Sequence, residues 1–460
     1  MKKTLYFLIL CFFATFLFIP TAITAQANTV KLDKTNFPDP NLRNSLSSYK
    51  DQDDMIDTEY ITSLNVAEIK NGKGFELLTS LERLDLVKIN ASDFTLDNPS
   101  VQYLNMVLGE EAPNLHLNIP NVNTFYIKTY NGKLKYKTVT SISGLSNATN
   151  LETLYIHGLK QKSFSLKGLT NLKTFELVNC SVKTITDWEA CPNLENIYLH
   201  NLALESLQVT CPLKKVHFLA LYQNKNLTSV NITGMKNVAT ARLYENQKLT
   251  SLKLPNKIEE LAIYKDPIKS LDLSNFKKLE YLRAGGSGLK KLILKNNKKL
   301  TRIDLNKTKV SSLNFSQIPN LECLDIGHTK FKGTMNLKKL KKFERLNLSY
   351  TAVHTVLLSD TSKKKLAVLG VTNSKLKNID LTQAKYLTIR WDYEKYKKNI
   401  TLHLNNILKP GYILYGKGYG IKTNIATRTF QLTSKNSGYV TLHKGNQEIT
   451  IQIQKWVEQY

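Results

Sequence analysis

Three stretches of the sequence set its architecture: LETLYI at residues 151–156, LKTFEL at residues 172–177 and LENIYL at residues 194–199. Each places an apolar residue at its first, fourth and sixth positions, and the pattern returns about every twenty residues. Copies begin at Leu81, Val101, Val122, Leu151, Leu172, Leu194, Val216, Val238, Ile258, Leu279, Leu300, Leu321, Phe343, Leu366 and Ala384. From Leu151 to Phe343 the steps are 20 to 22 residues, a regularity that indicates one structural unit per copy.

Each unit carries the signals of a short strand followed by an inward turn. The fourth to sixth residues alternate in polarity, which is typical of a strand. Three residues after the sixth, the chain places Cys180, Asn224, Asn246, Asp266, Ser287, Thr308, Thr329, Thr351 and Ser374. A short polar side chain there can satisfy backbone groups that lose their ladder partners, from one repeat to the next. A second apolar pair, such as Leu271 and Leu273, would fill the opposite wall of the coil.

A single unit is too small to bury a core, whereas stacked units bury a continuous one. We therefore predict a curved leucine-rich-repeat solenoid of about 15 units, with a parallel β-sheet on the concave face and an irregular, extended convex side. The length of 460 residues, too long for one ordinary core, agrees with a repetitive chain. The composition, with 42% hydrophobic residues, excludes global disorder.

These units resemble the leucine-rich repeats of the internalin-like group of secreted and surface proteins of Gram-positive bacteria. The resemblance covers about residues 30–395, and KLDKTNFPDPNLRNSLSSY (31–49) with GFELLTSLERLDL (74–86) is similar to the cap that precedes such repeats. It implies adhesion or host interaction through a protein partner. Caps of this group often carry a calcium-binding loop, but residues 51–61 do not match its pattern. In the alignment Tyr49 and Tyr60 stand at the two end positions that should hold calcium ligands, and Asp54 stands where the loop needs a glycine.

The order of segments along the chain is predicted as follows. Residues 1–27, with a basic start and an apolar run, are a signal peptide, so we expect a secreted or cell-surface protein without a transmembrane segment after processing. Residues 28–80 are the N-terminal cap, and residues 81–395 are the solenoid, with a β-hairpin insertion near 128–142 that contains Asn131-Gly132. Residues 396–460 alternate in polarity and form a small C-terminal β module, either a docked cap or a separate domain.

The residues between the buried strand positions should point out from the concave sheet. Taken at the fifth and seventh positions, they are rich in tyrosine, histidine and arginine, the types that suit a protein partner. The candidate partner-binding residues are Tyr126, Tyr155, His157, Tyr198, His200, Tyr222, Arg242, Tyr244, Tyr264, Tyr281 and Arg283. The same strip could stack on sugar rings. Alternatively, these tyrosines only stiffen the sheet through cross-strand contacts.

The net charge of +27 draws the molecule to anionic surfaces. Lysine pairs fall in the connecting arcs, at 277–278, 290–291, 298–299, 338–339 and 341–342. This basic edge is either a solvated face or a tether to an anionic wall polymer or acidic glycan. No motif of specific nucleic-acid recognition accompanies it.

Signals of catalysis and metal binding are weak. The four cysteines after residue 27 have no zinc-ligand spacing; Cys191 and Cys211 are either buried thiols or a disulfide on adjacent turns. Cys323, with His328 nearby, is the candidate for an enzymatic alternative. We expect no cofactor, no metal site and a monomer. The predicted function is that of a non-enzymatic secreted binding protein, and the alternatives are a wall-tethered envelope protein and an enzyme with an unrecognised site.

Overall fold

The computed structural model describes residues 28–129, 138–371, 373–380 and 386–391, and six further strand segments, 401–403, 413–415, 421–424, 429–432, 437–444 and 447–455. The predicted signal peptide at 1–27 and most of the predicted hairpin near 128–142 lie outside these residues. So do the turns of the predicted C-terminal module.

The copies of the apolar pattern form one strand each, and these strands pair in parallel into one continuous sheet on the concave face. Within the described residues the sheet does not close on itself, because its first strand, Ser63–Ala67, pairs with Arg83–Ile89 alone and its last, Ile413–Tyr415, with Ser437–Lys444 alone. The strands are Ser63–Ala67, Arg83–Ile89, Tyr103–Leu108, Thr124–Thr129, Thr153–His157, Thr174–Val178, Asn196–His200, Phe218–Tyr222, Thr240–Tyr244, Glu260–Tyr264, Tyr281–Arg283, Arg302–Asp304, Cys323–Asp325, Arg345–Asn347, Val368–Gly370 and Tyr386–Trp391. The predicted leucine-rich-repeat solenoid is confirmed.

The other wall of the coil consists of shorter strands, turns and single turns of helix. Its parallel strands are Asp93–Asp97, Asn114–Asn118 and Ser141–Ser143; Ser163–Ser165 and Thr184–Thr186; Ser206–Gln208, Ser229–Asn231 and Ser251–Lys253; Ser270–Asp272 and Lys291–Ile293; and Lys332–Leu337, Ala352–Leu358 and Asn378–Ile379. The 3-10 turns are Phe75–Leu77, Leu145–Asn147, Trp188–Ala190 and Phe315–Gln317, and the α-helix Asp360–Lys365 lies near the end. The strand Ser141–Ser143 shows that the chain after the predicted hairpin rejoins this wall.

The core lies between the two walls and runs through the stack. In the unit that begins at Leu172, the first, fourth and sixth residues, Leu172, Phe175 and Leu177, are fully buried. The same three positions are buried in the neighbouring units, so each side chain packs against its equivalents above and below. Burying a leucine or phenylalanine contributes roughly 1.5–3 kcal/mol, and this term repeats with every turn.

The ninth position of the units forms a buried polar ladder where the chain turns inward. Asn224 and Asn246 donate from Nδ2 to the carbonyl oxygens of Leu199 and Leu221, at 2.9 and 3.0 Å. The backbone amide of Asn224 donates to Asn246 Oδ1 at 3.1 Å, and that of Asn246 to Asp266 Oδ1 at 2.7 Å. The prediction that these side chains satisfy backbone groups between repeats is confirmed for this part of the ladder.

The threonines at the same position act within their own repeat instead. Thr308 Oγ1 donates to the carbonyl oxygen of Leu305 at 2.7 Å, and Thr329 and Thr351 donate to their own strands in the same way. At this position the three hydroxyls bond within the repeat and leave the ladder between repeats to the asparagines. Asp266 Oδ2 and Ser287 Oγ are buried and, among the described residues, have no hydrogen-bond partner.

In most units the eighth position has a left-handed backbone, whereas Leu108 and Thr129 at this position remain in their strands. The left-handed residues are Lys88, Gly158, Asn179, Asn201, Gln223, Glu245, Lys265, Gly286, Lys307, His328, Tyr350 and Asn373, and their φ angles lie between +45° and +79°. This conformation reverses the chain direction directly after the strand. Since it disfavours most side chains, the stacking of repeats must impose it at residues other than glycine and asparagine.

The N-terminal segment closes the first end of the coil. Thr29–Lys31 pairs antiparallel with Met55–Asp57, and the helix Pro40–Leu46 is followed by the 3-10 turns Ser47–Tyr49 and Thr58–Tyr60. Phe37, Leu42 and Leu46 are fully buried at this end. Asp39 caps the helix, and its Oδ2 also accepts from the backbone amides at 70 and 71, at 2.8 and 3.1 Å. The helix is thereby fixed to the chain that follows the first sheet strand.

The acidic stretch of the cap is an internally bonded turn. Asp51 Oδ1 accepts from the backbone amides of Asp53 and Met55, at 2.9 and 2.8 Å. Lys50 forms an ion pair with Asp54 at 2.5 Å. Tyr60 is 76% exposed, so its ring points to solvent from the position that a calcium loop gives to a glutamate.

The sheet continues beyond the repeats. Gln447–Lys455 pairs in parallel with the repeat strand Tyr386–Trp391, and Ser437–Lys444 and then Ile413–Tyr415 add antiparallel strands. Thr401–His403, Ile421–Asn424 and Thr429–Leu432 form a separate three-stranded antiparallel sheet. Strand pairing therefore passes from the repeats into the C-terminal segment without interruption. Within the described residues, neither helix has the length and hydropathy needed to cross a bilayer.

Candidate binding face on the concave sheet

The register of the parallel strands places the predicted partner-binding residues in two columns. The fifth-position column contains Tyr126, Tyr155, Glu176, Tyr198, Ala220, Arg242, Ala262 and Arg283. The seventh-position column contains His157, Val178, His200, Tyr222, Tyr244 and Tyr264. Tyr281 lies beside Glu260 in the third-position column. Adjacent strands are ~4.8 Å apart, so residues of one column are neighbours in space.

The aromatic rings of this face form two groups. In the first, Tyr126 contacts Tyr103 and Tyr155, with ring centroids 5.9 and 6.1 Å apart. In the second, the rings of Tyr222 and Tyr244 stack with centroids 5.0 Å apart and planes 7° apart. Tyr264 adds an edge contact to Tyr244, His200 one to Tyr222, and Tyr198 packs on Phe218 with centroids 5.0 Å apart. The strand Thr174–Val178, which carries Glu176, separates the two groups.

Two members of these groups, Tyr103 and Phe218, are absent from the sequence-based candidates. Both occupy the third position of their units, which points to the same side as the fifth and seventh. The period-two alternation of a strand carries this signal. A search of the third column would therefore have found both rings.

Cationic side chains of the protein itself lie over the rings at the ends of the face. Arg83 lies 3.9 Å from the ring centroid of Tyr103, and Lys128 lies 4.6 Å from that of Tyr126. Farther along, Arg242 lies over Phe218, Lys265 over Tyr264 and Arg302 over Tyr281, at 5.6, 5.1 and 5.4 Å. These rings are already engaged in intramolecular cation–π contacts.

The two predicted arginines are held by one carboxylate. Arg242 contacts Glu260 through Nε and Nη2, both at 3.2 Å, and Arg283 Nε lies 3.9 Å from Glu260 Oε1. The hydrogen bonds to Glu260 raise the pKa of Arg242 above its usual value. Both guanidinium groups are thus oriented within the sheet before any partner arrives.

The two predicted histidines differ in exposure. His157 is 8% exposed, and its Nε2 lies 2.6 Å from Asn179 Nδ2. Burial, with a contribution from His200, lowers the pKa of His157, so its ring is neutral at pH 7 and accepts that bond. His200 instead lies at the surface, with Nε2 3.1 Å from Gln223 Oε1. His200 therefore offers a partner more surface than His157 does.

Two tyrosines of the face, Tyr155 and Tyr222, keep their hydroxyl protons because their pKa values are raised. Burial is the main cause that raises the pKa of Tyr155, followed by the nearby charge of Glu176. Burial also raises the pKa of Tyr222, followed by Tyr244. Half-buried rings with protonated hydroxyls present an apolar surface and a hydrogen-bond donor together, which is the chemistry of a protein contact.

The predicted reactive cysteine lies in an unfavourable setting. All four cysteines in the described residues are free thiols. Burial raises the pKa of Cys323, which reduces its nucleophilic thiolate form. Its proposed base, His328, stacks on Tyr350 with ring centroids 3.9 Å apart. Burial also raises the pKa of Cys180 to about 11 and that of Cys191 to about 12, and no three metal-binding side chains converge within the part of the chain that the structure describes.

Part of the predicted basic edge is paired within the protein. Lys277 Nζ donates to the carbonyl oxygens of Ser274 and Lys295. Lys278 lies 3.9 Å from Glu259, and Lys299 lies 3.7 Å from Glu280. These contacts are exposed and weak, so the arcs stay positively charged overall.

Comparison with known proteins gives similarities of fold. No protein-family model matches the chain, and no curated protein matches it. Among solved structures, it is similar to the functional domain of InlJ from Listeria monocytogenes, which includes a cysteine ladder, at 17% identity over 93% of this chain and 99% of that one, with a TM-score of 0.39. A leucine-rich-repeat protein of Leptospira interrogans is similar at 20% identity over 72% and 84% of the two chains, with a TM-score of 0.45.

A third similar structure is YopM from Yersinia enterocolitica, at 15% identity over 76% of this chain and 68% of that one, with a TM-score of 0.42. The similar structures thus include bacterial leucine-rich-repeat proteins. At these identities the likeness concerns the fold alone.

Proposed function

We propose that this protein is a non-enzymatic binding protein that engages a protein partner through its concave face. The observation that carries the proposal is the pair of aromatic groups on the concave sheet, in which Tyr155 of one group and Tyr198 and Tyr222 of the other lie nearest to the strand that separates them. The sheet holds these rings in register, so little conformational entropy is lost when a partner covers them. Tyrosine and arginine on a rigid surface are the residues that contribute most to protein interfaces.

The protein is proposed to act outside the cell that makes it, either released or on its surface. The basic and apolar leader at 1–27 supports export. The lysine-rich arcs support a weak additional contact with an anionic wall polymer. Washing intact cells at low and high salt distinguishes the two arrangements, because an electrostatic contact to the wall is lost at high ionic strength.

The proposal is tested with the variant Tyr155→Ala, Tyr198→Ala and Tyr222→Ala. We expect it to retain none of the proteins that the wild type captures from host or bacterial extracts, because rings of both groups are removed at the middle of the face. Its thermal midpoint should fall by only a few degrees, since the three rings are half-buried and make no part of the core.

The control is the variant Tyr49→Ala and Tyr60→Ala, which removes two exposed rings from the cap. It should capture the same proteins as the wild type. Equal capture by the concave-face variant and the wild type would show that the ring groups take no part in binding.

A further inference from the structure

We propose that Glu176, between Tyr155 and Tyr198, forms a subsite that accepts an arginine side chain of the protein partner. The inference rests on the proposed function and deepens it by naming the chemistry at the centre of the face. It depends on the register of three strands, on the pairing of the other carboxylates of the face, and on the cations already present over the other rings.

The register places one carboxylate between two rings. Glu176 pairs with Tyr155 on one side and with Tyr198 on the other. Neighbouring strands are ~4.8 Å apart, so Tyr155 and Tyr198 lie one strand spacing from Glu176, on opposite sides of it. A guanidinium ion combines a flat face that stacks on aromatic rings with a fork of donors that fits a carboxylate, whereas an ammonium ion offers only the charge.

The carboxylate of Glu176 lacks a partner inside the protein. Over the described ranges, no donor or cationic group lies within bonding distance of it. The other carboxylates on the described part of this face are engaged: Asp85 by Arg83 at 2.8 Å, Glu260 by Arg242, Asp304 by the amide of Asn306 at 2.8 Å, and Asp325 by Asn347 at 2.9 Å. Among the described residues of the face, Glu176 is therefore the carboxylate that has neither a hydrogen-bond donor nor an ion-pair partner, and it lies between the two aromatic groups.

The rings beside Glu176 also lack an intramolecular cation. Tyr103, Tyr126, Phe218, Tyr264 and Tyr281 each have an arginine or lysine of the protein over the ring. Among the strands that the structure describes, no such cation lies over Tyr155 or Tyr198. Tyr222 and Tyr244 also have no such cation in the described structure, but their rings stack on each other, whereas Tyr155 and Tyr198 flank an unpaired carboxylate.

The groups around Glu176 do not supply the missing charge. His157 is buried and neutral, burial raises the pKa of Tyr155 so that its hydroxyl is uncharged, and His200 is bonded to Gln223. Burial raises the pKa of Glu176, and the proximity of His200 partly opposes this. An arriving guanidinium would relieve the cost of a half-buried, unpaired carboxylate.

The test uses two small probes that differ only in charge, N-acetyl-arginine amide and its neutral isostere N-acetyl-citrulline amide. Each is titrated into the protein while the ring signals of Tyr155 and Tyr198 are followed by NMR, with Tyr155→Phe and Tyr198→Phe to assign them. We expect the arginine probe to shift both signals at roughly tenfold lower concentration than the citrulline probe. The net charge of +27 repels a cationic probe, so this preference would reflect the subsite itself.

Two glutamine variants decide the outcome. Glu176→Gln should remove the preference for arginine. Glu189→Gln makes the same charge change at an exposed position in the turn Trp188–Ala190, and it should keep the preference. Because Glu176→Gln removes an unpaired carboxylate, its unfolding midpoint should equal or exceed that of the wild type, which separates lost binding from lost folding.

An absent arginine preference in the wild type, or one that persists in Glu176→Gln, would overturn the subsite. If the arginine preference is absent but the concave tyrosine variant still loses its captured proteins, the subsite is wrong and the proposed function stands. If the preference is present but that variant captures the same proteins as the wild type, the proposed function is wrong and the subsite stands.

Discussion

Asp266 is the last member of the buried ladder that Asn224 and Asn246 begin, and it has a carboxyl group where those residues have an amide. The strand residues Leu199, Leu221 and Leu243 are in register, and the first two accept hydrogen bonds from Asn224 and Asn246. The equivalent acceptor for residue 266 is the carbonyl oxygen of Leu243. Burial raises the pKa of Asp266 to about 8, so the carboxyl is largely protonated at neutral pH, and its buried Oδ2 has no hydrogen-bond partner among the described residues.

The variant Asp266→Asn should therefore change how stability depends on pH. The folded-state pKa lies above the ordinary value of 3.8, so the wild type binds more protons when folded and loses stability as the pH rises from about 4 to about 8. The asparagine variant lacks this loss, and at about pH 8 we expect it to be more stable by roughly 1–3 kcal/mol. Urea unfolding at about pH 5 and about pH 8 measures the difference.

The matched control is Asp272→Asn, at an exposed carboxylate whose pKa is lowered by hydrogen bonds from Ser274. It should show no gain in stability at the higher pH. If Asp266→Asn and the wild type lost stability in parallel between the two pH values, the carboxyl of Asp266 would not be protonated in the folded state.

At the scale of the repeat element, the turn after each strand depends on a left-handed residue. Asn201 has a φ of +51°, and its Nδ2 donates to Asn179 Oδ1 at 2.7 Å. Glycine adopts this conformation freely, whereas a β-branched side chain is strained in it.

We expect Asn201→Val to lower the free energy of unfolding by about 2 kcal/mol, through backbone strain and the lost hydrogen bond. Asn201→Gly should lower it by less than about 1 kcal/mol, because only the hydrogen bond is removed and the conformation is relaxed. Chemical denaturation of both variants gives the comparison. A loss for glycine as large as that for valine would mean that the hydrogen bond, and not the backbone conformation, governs this turn.

The sequence predicts the sheet strands because their apolar positions carry the signal. The copy ITSLNV at 61–66 fits the same pattern and forms the first strand, Ser63–Ala67, within the range that we predicted for the cap. The left-handed position has no such signal, since Gln223, Glu245 and Lys265 do not favour it on their own. Stacked neighbours enforce it there, and a single sequence shows residue types but not that constraint.

The sequence predicts which residues of the binding face share a column across the strands, but not which side chains contact each other. The repeat spacing alone places Tyr155, Glu176 and Tyr198 side by side, as the strand register shows. Which cations lie over which rings depends on rotamers of long side chains such as Arg83 and Arg242. Those contacts form across strands, so the identity of the unpaired carboxylate emerges only from the structure.

At the scale of the whole molecule, the repeats contact mainly their neighbours, so the chain is extended along the stack. A compact protein of this length would have a radius of gyration of about 23 Å. The sixteen repeat strands and the three C-terminal strands that continue the sheet, ~4.8 Å apart, form a stack roughly 85 Å long, for which we expect a radius of gyration of roughly 28 Å from small-angle X-ray scattering. A value near that of a compact protein would contradict the solenoid and remove the concave face with it.

The helix Pro40–Leu46 and its buried neighbour Phe37 cover the first end of the coil, next to the outermost strand Ser63–Ala67. Among the described residues that strand pairs on one side only, so its other edge is a template for strand addition. Proteolysis or mutation that detached the helix would expose this edge together with the apolar end of the core. Molecules damaged in this way would associate through that end, so the segment that precedes the repeats protects the protein from pairing with a second copy.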